Sequence, residues 1–214
     1  MENVCRYGHS GRASGWVKVE GKTYDIKPDT WLGHRDHSWG IRITGVSMEQ
    51  AVQPDEPRRG GSGLFNWNIL QFKNWFLNHQ LREYDGNVGY FSGGISYAHD
   101  DPRTTLELVG MEHDYEYVPG TRQLKSGRVV YTAEDGSKIE ISVRALTHLY
   151  LGPGGYFPYK GYSHGMWMGP SWIDGEKLDI TDDKAVEAVS RLVDNMCECR
   201  CGNEIGYGIV ELAG

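Results

Sequence analysis

Between Gly15 and Leu212 the chain alternates short apolar–polar runs with turns rich in Gly and Asp, and this rhythm restricts the fold more than any other feature. Gly15–Val19 and Thr23–Ile26 flank Glu20-Gly21-Lys22, a hairpin pattern. Further strands are predicted at 64–73, 75–84, 88–97, 104–111, 113–118, 127–134 and 138–149, with turns at Asp85-Gly86-Asn87, Asp100-Asp101-Pro102 and Asp135-Gly136. A closing hairpin, Met196–Cys201 and Ile205–Leu212, turns at Gly202-Asn203. The one good helix signal is 181–192, where Thr181 is the candidate N-cap and the acids at 182 and 183 suit the positive end of the helix dipole. About ten strands, mostly adjacent in sequence, predict an all-β, antiparallel barrel or strongly curved sheet with one short C-terminal helix. The domain is single, 1–214, and carries a long loop at 47–63 built around Pro54-Asp55-Glu56-Pro57-Arg58-Arg59-Gly60-Gly61. A barrel of eight strands is filled by side chains or holds one small ligand.

Charge and hydropathy exclude several functions. The net charge of −7 and the lack of a basic block argue against nucleic acid or an anionic membrane as partner. No apolar run reaches the roughly 18 residues of a membrane span. Met1–Arg6 lacks the apolar centre of a signal peptide, so a cytoplasmic location is expected. Cys197, Cys199 and Cys201 alternate in a strand pattern, which places them on one face. They read as small inward-packing residues, since a zinc site draws on Cys-x-x-Cys pairs.

The densest chemistry is Gly33-His34-Arg35-Asp36-His37-Ser38-Trp39-Gly40. Arg35 and Asp36 cannot both be buried unless each is paired and hydrogen-bonded, so the segment is either a site or a structural ion pair. In an extended chain His34 shares a face with Asp36, and His37 with Arg35. The same period of two puts His79 on a face with Trp75, Leu77 and Leu81. It puts His164 with Tyr162, Met166 and Met168, and Glu211 with Ile205, Tyr207 and Ile209. Each histidine has a bland alternative as a hydrogen-bonded core residue, and Glu211 has one as a strand-end residue reaching solvent. A metal centre would need several of His34, His37, His79 and His164, but no His-x-His pair exists, and neither metal nor cofactor is expected. Gly161-Tyr162-Ser163-His164-Gly165 has the lettering of a hydrolase elbow without a following helix, and Gly60-Gly61-Ser62-Gly63 lacks the lysine of a phosphate loop.

Gly11-Arg12-x-x-Gly15, Arg35-Asp36-His37-Ser38-Trp39-Gly40, Tyr162-x-His164-Gly165-x-Trp167-x-Gly169 and Gly206-Tyr207-Gly208-x-x-Glu211 together resemble a bacterial family with an Arg-Asp-(His/Arg)-Ser-Trp-Gly signature. That family is distantly similar to the lipocalin-like hydroxyneurosporene synthase (carotenoid 1,2-hydratase) and AttH-type proteins. The resemblance spans about residues 9–212 and implies a lipocalin-like, calycin-type barrel. It also implies addition or removal of water at a carbon–carbon double bond of a hydrophobic substrate. The relatives are often longer, with two barrel-like halves, so a second copy could supply the missing half and a homodimer is expected.

The function expected on these grounds is a cofactor-independent lyase or isomerase (hydratase, dehydratase or cyclase) acting by general acid–base chemistry on an apolar small molecule such as a terpenoid or polyketide. Asp36 is the first candidate for acid or orienting group. His37, His79 and His164 are candidates for proton transfer, and Arg35 would hold Asp36 or a substrate oxygen. Trp39, Trp75, Tyr162, Trp167, Tyr207 and Glu211 are the candidate substrate-binding residues. The alternative is a non-catalytic carrier of a hydrophobic ligand.

Overall fold

The computed structural model describes residues 3–41, 63–98, 101, 105–119, 121, 123–152, 160–161 and 166–213. The expected loop at 47–63, apart from its last residue, lies outside these described residues, as do Tyr162 and His164.

Eight strands close into one antiparallel barrel: β5 (Gly63–Gln71), β6 (Trp75–Tyr84), β7 (Asn87–Tyr97), β8 (Leu106–Tyr117), β9 (Leu124–Ala133), β10 (Lys138–Tyr150), β11 (Leu192–Cys201) and β12 (Glu204–Ala213). Each pairs with its neighbours in sequence, and β12 returns to β5. Closure removes the free edges that an open sheet would expose. Before the barrel, β1 (Asn3–Arg12) and β4 (Leu32–Ile41) form a separate two-stranded arm. The hairpin β2 (Gly15–Val19) and β3 (Lys22–Ile26) is nested between them. No helix among the described residues is long and apolar enough to cross a membrane. The all-β, antiparallel barrel expected from the turn rhythm, lipocalin-like as the resemblance implies, is what forms.

Alternation along the strands builds the interior. Leu70, Leu77, Ile95, Leu108, Val129, Ile141, Val143, Val210 and Leu212 point inward and are buried. Cys197 and Cys199 join them, with Cys201 half-buried at the barrel end, as their spacing predicts. Gly93 is required at its position. A Cβ there would lie 2.7 Å from that of His79, the residue directly opposite on β6.

Four local expectations differ. The two strands expected at 104–111 and 113–118 are one strand, β8, because its pairing with β9 runs unbroken through Met111, Glu112 and His113. The Gly33–Gly40 segment, expected to be irregular, is strand β4, paired residue by residue with β1. β1 itself gives little strand signal, because of its half-buried positions only Val4 is a large apolar residue and the others are Arg6, Gly8, Ser10 and Gly11. The helix is α1 (Asp183–Val189), shorter than 181–192. Its N-cap is Asp182, which accepts a bond from the Lys184 N–H at 2.9 Å, and not Thr181.

Candidate functional site

The barrel centre holds a closed ring of polar side chains. Asn68 Nδ2 donates to the Tyr131 hydroxyl at 2.9 Å, so the Tyr131 proton is directed to His79 Nδ1, also at 2.9 Å. His79 then carries its proton on Nε2 and donates to Asn66 Oδ1 at 3.2 Å, while Asn66 Nδ2 donates to Asn68 Oδ1 at 2.8 Å. Tyr115 adds a second donor to Asn66 Oδ1 at 2.8 Å. Burial pushes His79 down to about 3, with His113 adding to the effect, so the imidazole is neutral. Burial likewise raises the Tyr115 and Tyr131 phenols far above their usual range. His79 is therefore a hydrogen-bonded core histidine, 1 % exposed and closed off from solvent.

A different arrangement occupies the outer wall of the barrel, where the arm lies against it. Arg6, Gly8 and Ser10 of β1 and His34 and Asp36 of β4 form the arm's inner face. Arg6 lies 4.7 Å above the Trp67 ring, and His34 meets the same ring edge-on at 6.3 Å. Trp67 is only 7 % exposed although it points out of the barrel, and its Nε1 donates to Asn78 Oδ1 at 2.6 Å. Gly8 permits this close docking, because a Cβ there would fall 2.1 Å from Asn78 Nδ2.

Strand register aligns the wall side of this seam. Asp194 on β11 faces Glu211 on β12, Glu211 faces Trp67 on β5, Trp67 faces Gln80 on β6, and Gln80 faces Ser92 on β7. One outward row thus crosses five adjacent strands, roughly 19 Å at the usual strand spacing. Among the described residues, four buried side-chain polar atoms have no hydrogen-bond partner: Arg6 Nε, His34 Nε2, Gln80 Nε2 and Asp194 Oδ1. All four belong to this seam. A native fold satisfies nearly all such atoms, so their concentration at one place makes this seam the candidate site.

The electrostatics point the same way. Burial pushes the Glu211 carboxyl up to about 8. The neighbouring Asp194 adds to the shift, Arg6 opposes it, and Asp36 adds a smaller push upward. Burial also raises Asp194. Two facing carboxyls in a poorly solvated seam share one proton. Asp194 Oδ1 gains a donor from Glu211 only when that proton is present. Arg6 Nε and Asp36 Oδ1 are 3.3 Å apart, with Asp36 about one-third exposed at the rim. His34 is held below its usual value, mainly by burial.

The residues singled out in the sequence separate. Asp36 and Glu211 come to the seam. Glu211 is not a lumen carboxylate, since Val210 and Leu212 are the inward neighbours; it is half-buried beside the arm. Arg35, His37 and Trp39 lie on the arm's outer face, where Tyr7, His37 and Trp39 rings follow one another at 5.3 and 5.6 Å and Arg35 lies 5.8 Å from Tyr7. Arg35 therefore does not hold Asp36; Arg6 does. Trp75 stacks on Phe72 at 4.0 Å, while Tyr207 and Trp167 are exposed. His34, His37 and His79 occupy three different surfaces and do not converge.

Arg6, Trp67, Gln80 and Asp194 were missed. The pairing of Asp194 with Glu211 was recoverable. The two-residue turn at Gly202-Asn203 sets Cys201 opposite Glu204, and counting back along the hairpin brings Asp194 opposite Glu211. Arg6 carried no local signal.

No curated protein and no solved structure matches the chain. A family model does, across residues 1–213. Its span takes in the arm, the wall and both carboxyls of the seam, and the chain belongs to the family it describes, a family of unknown function designated DUF8625.

Proposed function

We propose that this chain is a cofactor-independent acid–base enzyme of the lyase or isomerase type, acting on an apolar small molecule held between the arm and the barrel wall. The observation that carries this reading is the facing pair Asp194–Glu211, half-buried beside Trp67 and near the Arg6–Asp36 ion pair. Such a set separates an acid from a base. Glu211 keeps its proton near neutral pH, while Asp36, steadied by Arg6 at the wetter rim, is the carboxylate partner.

In the dehydration direction Glu211 protonates a hydroxyl and the C–O bond breaks. Asp36 takes a proton from the adjacent carbon, the C–H electron pair becomes the double bond, and water leaves. Hydration runs the same transfers in reverse, and isomerisation uses both without loss of water. Asp194 acts as a positioning residue for the Glu211 proton.

The test is solvent labelling. Apolar small molecules extracted from cells are incubated with the protein in D2O or in H2-18O and followed by mass spectrometry. At least one compound should gain deuterium or oxygen-18 with the wild type and not with Glu211→Gln. Label uptake that is independent of protein, or equal with Glu211→Gln, overturns the proposal.

A further inference from the structure

The seam continues past Trp67 into a cleft of about 430 Å³ bordered by Val4, Arg6, Phe76, Gln80, Tyr90 and Ser92. That volume lies within the usual range for small-molecule sites. Its floor is the outer face of β6 and β7, where Phe76 stands opposite Ser96, Asn78 opposite Gly94, and Gln80 opposite Ser92. From Phe76 to Gln80 the floor runs about 13 Å. Ser92, Gly94 and Ser96 of β7 present small side chains to the cleft, and Thr105 packs over Gly94 and beside Ser96 at its far end. Apolar side chains enclose the cleft: Val4 on the arm, Phe76 and Tyr90 on the wall, and Trp67 toward the carboxyls.

The polar groups facing this space are mostly donors. Gln80 Nε2 is buried and makes no hydrogen bond, while Arg6 Nε is ion-paired with Asp36 Oδ1 at 3.3 Å without hydrogen-bond alignment. Asn78 spends its carbonyl oxygen on the Trp67 indole, which leaves its amide N–H groups toward the cleft. A buried donor with no acceptor is costly to leave empty-handed. The Ser92, Ser96 and Thr105 hydroxyls also line the slot, so the donors select a ligand oxygen that accepts while Val4, Trp67, Phe76 and Tyr90 offer the apolar contacts.

We infer that this cleft binds an elongated apolar molecule through a carbonyl or carboxylate oxygen seated against Gln80 Nε2, with Arg6 as the second donor. This rests on the acid–base reading and deepens it, because Gln80 and Glu211 flank Trp67 in one cross-strand row. Two strand spacings separate them, on the order of 10 Å. The substrate class is therefore an apolar ketone, enone or carboxylic acid whose anchoring oxygen lies on the order of 10 Å from the reacting carbon or hydroxyl.

The probe is 6-propionyl-2-(dimethylamino)naphthalene, a flat fluorescent ketone, with 2-(dimethylamino)naphthalene as its carbonyl-free counterpart. The ketone should bind saturably, with emission shifted to the blue. Gln80→Leu should weaken it about tenfold or more. The carbonyl-free compound should bind the wild type correspondingly less well and be indifferent to Gln80→Leu. Ser92→Trp, an exposed position whose new ring would fill the slot, should abolish binding while the urea midpoint stays at the wild-type value. Lack of saturable ketone binding overturns the inference, as does wild-type affinity in both variants. The two proposals fail separately. Glu211-dependent label uptake without ketone binding removes the cleft alone, and ketone binding without protein-dependent label removes the acid–base chemistry alone.

Discussion

Asp194 and Glu211 stand directly opposite each other on β11 and β12, facing out of the barrel, and are half-buried beside an arm that is no part of it. Carboxyls at adjacent positions repel when both are ionised, so the folded protein retains a proton that the unfolded chain has lost. Between the ordinary glutamate value and about 8, the native state binds more protons than the unfolded state. Stability must then fall as pH rises across that window. Urea midpoints at pH 5, 6.5 and 8 should decline in the wild type, and Glu211→Gln should flatten the decline and be the more stable protein at pH 8. A wild-type profile no steeper than that of the variant would show the carboxyls to be solvated.

Arg6 and Asp36 act on Glu211 with opposite signs. Removing the cation with Arg6→Gln should raise the Glu211 titration midpoint, and Asp36→Asn should lower it, both read from carbon-13 carboxyl shifts. Movement of both variants in one direction would mean that the arm does not lie over the pair.

His79 titrates oppositely. Its folded value is depressed to about 3, so the unfolded chain takes up a proton first as pH falls below the ordinary histidine value. Stability is then full above about pH 6.5 and is lost progressively toward pH 3. Tyr131→Phe removes the donor to Nδ1, strands that nitrogen in the core and leaves Asn68 Nδ2 only its longer bond to the Tyr115 hydroxyl. A loss of about 1–3 kcal/mol is expected from denaturant unfolding. Nitrogen-15 spectra should show the Nε2–H tautomer throughout pH 5–8; protonation of His79 in that range would refute the ring.

The arm's seating depends on Gly8. A valine there would collide with Asn78 and lift β1 from the wall without touching the closed barrel. Gly8→Val should speed hydrogen exchange at the Trp67 indole N–H, now bonded to Asn78, while the barrel amides keep their protection. Unchanged exchange at Trp67 would mean that the arm is not what shields it.

Most of the barrel was legible in the sequence, because its information is local. Turn residues mark the corners, period-two alternation marks two faces, and the Cys197–Cys201 run declares itself inward. Alternation also divided the Gly33–Gly40 segment correctly, with His34 and Asp36 on one face and Arg35 and His37 on the other. What alternation leaves open is what covers each face. Glu211 reads as a lumen carboxylate or as a strand-end residue reaching solvent, and is neither: it faces outward and is half-buried beside the buried Trp67. That outcome comes from β1 and β4 pairing with each other and lying against the wall, contacts between residues up to some two hundred positions apart in the chain. The partner of Asp36 changed for the same reason. Its sequence neighbour Arg35 points away because successive side chains of a strand take opposite faces, and Arg6 across the hairpin supplies the cation. Local periodicity therefore determined the strands and the composition of each face, and long-range packing of the arm decided which of those faces became a buried, unsatisfied and chemically poised seam.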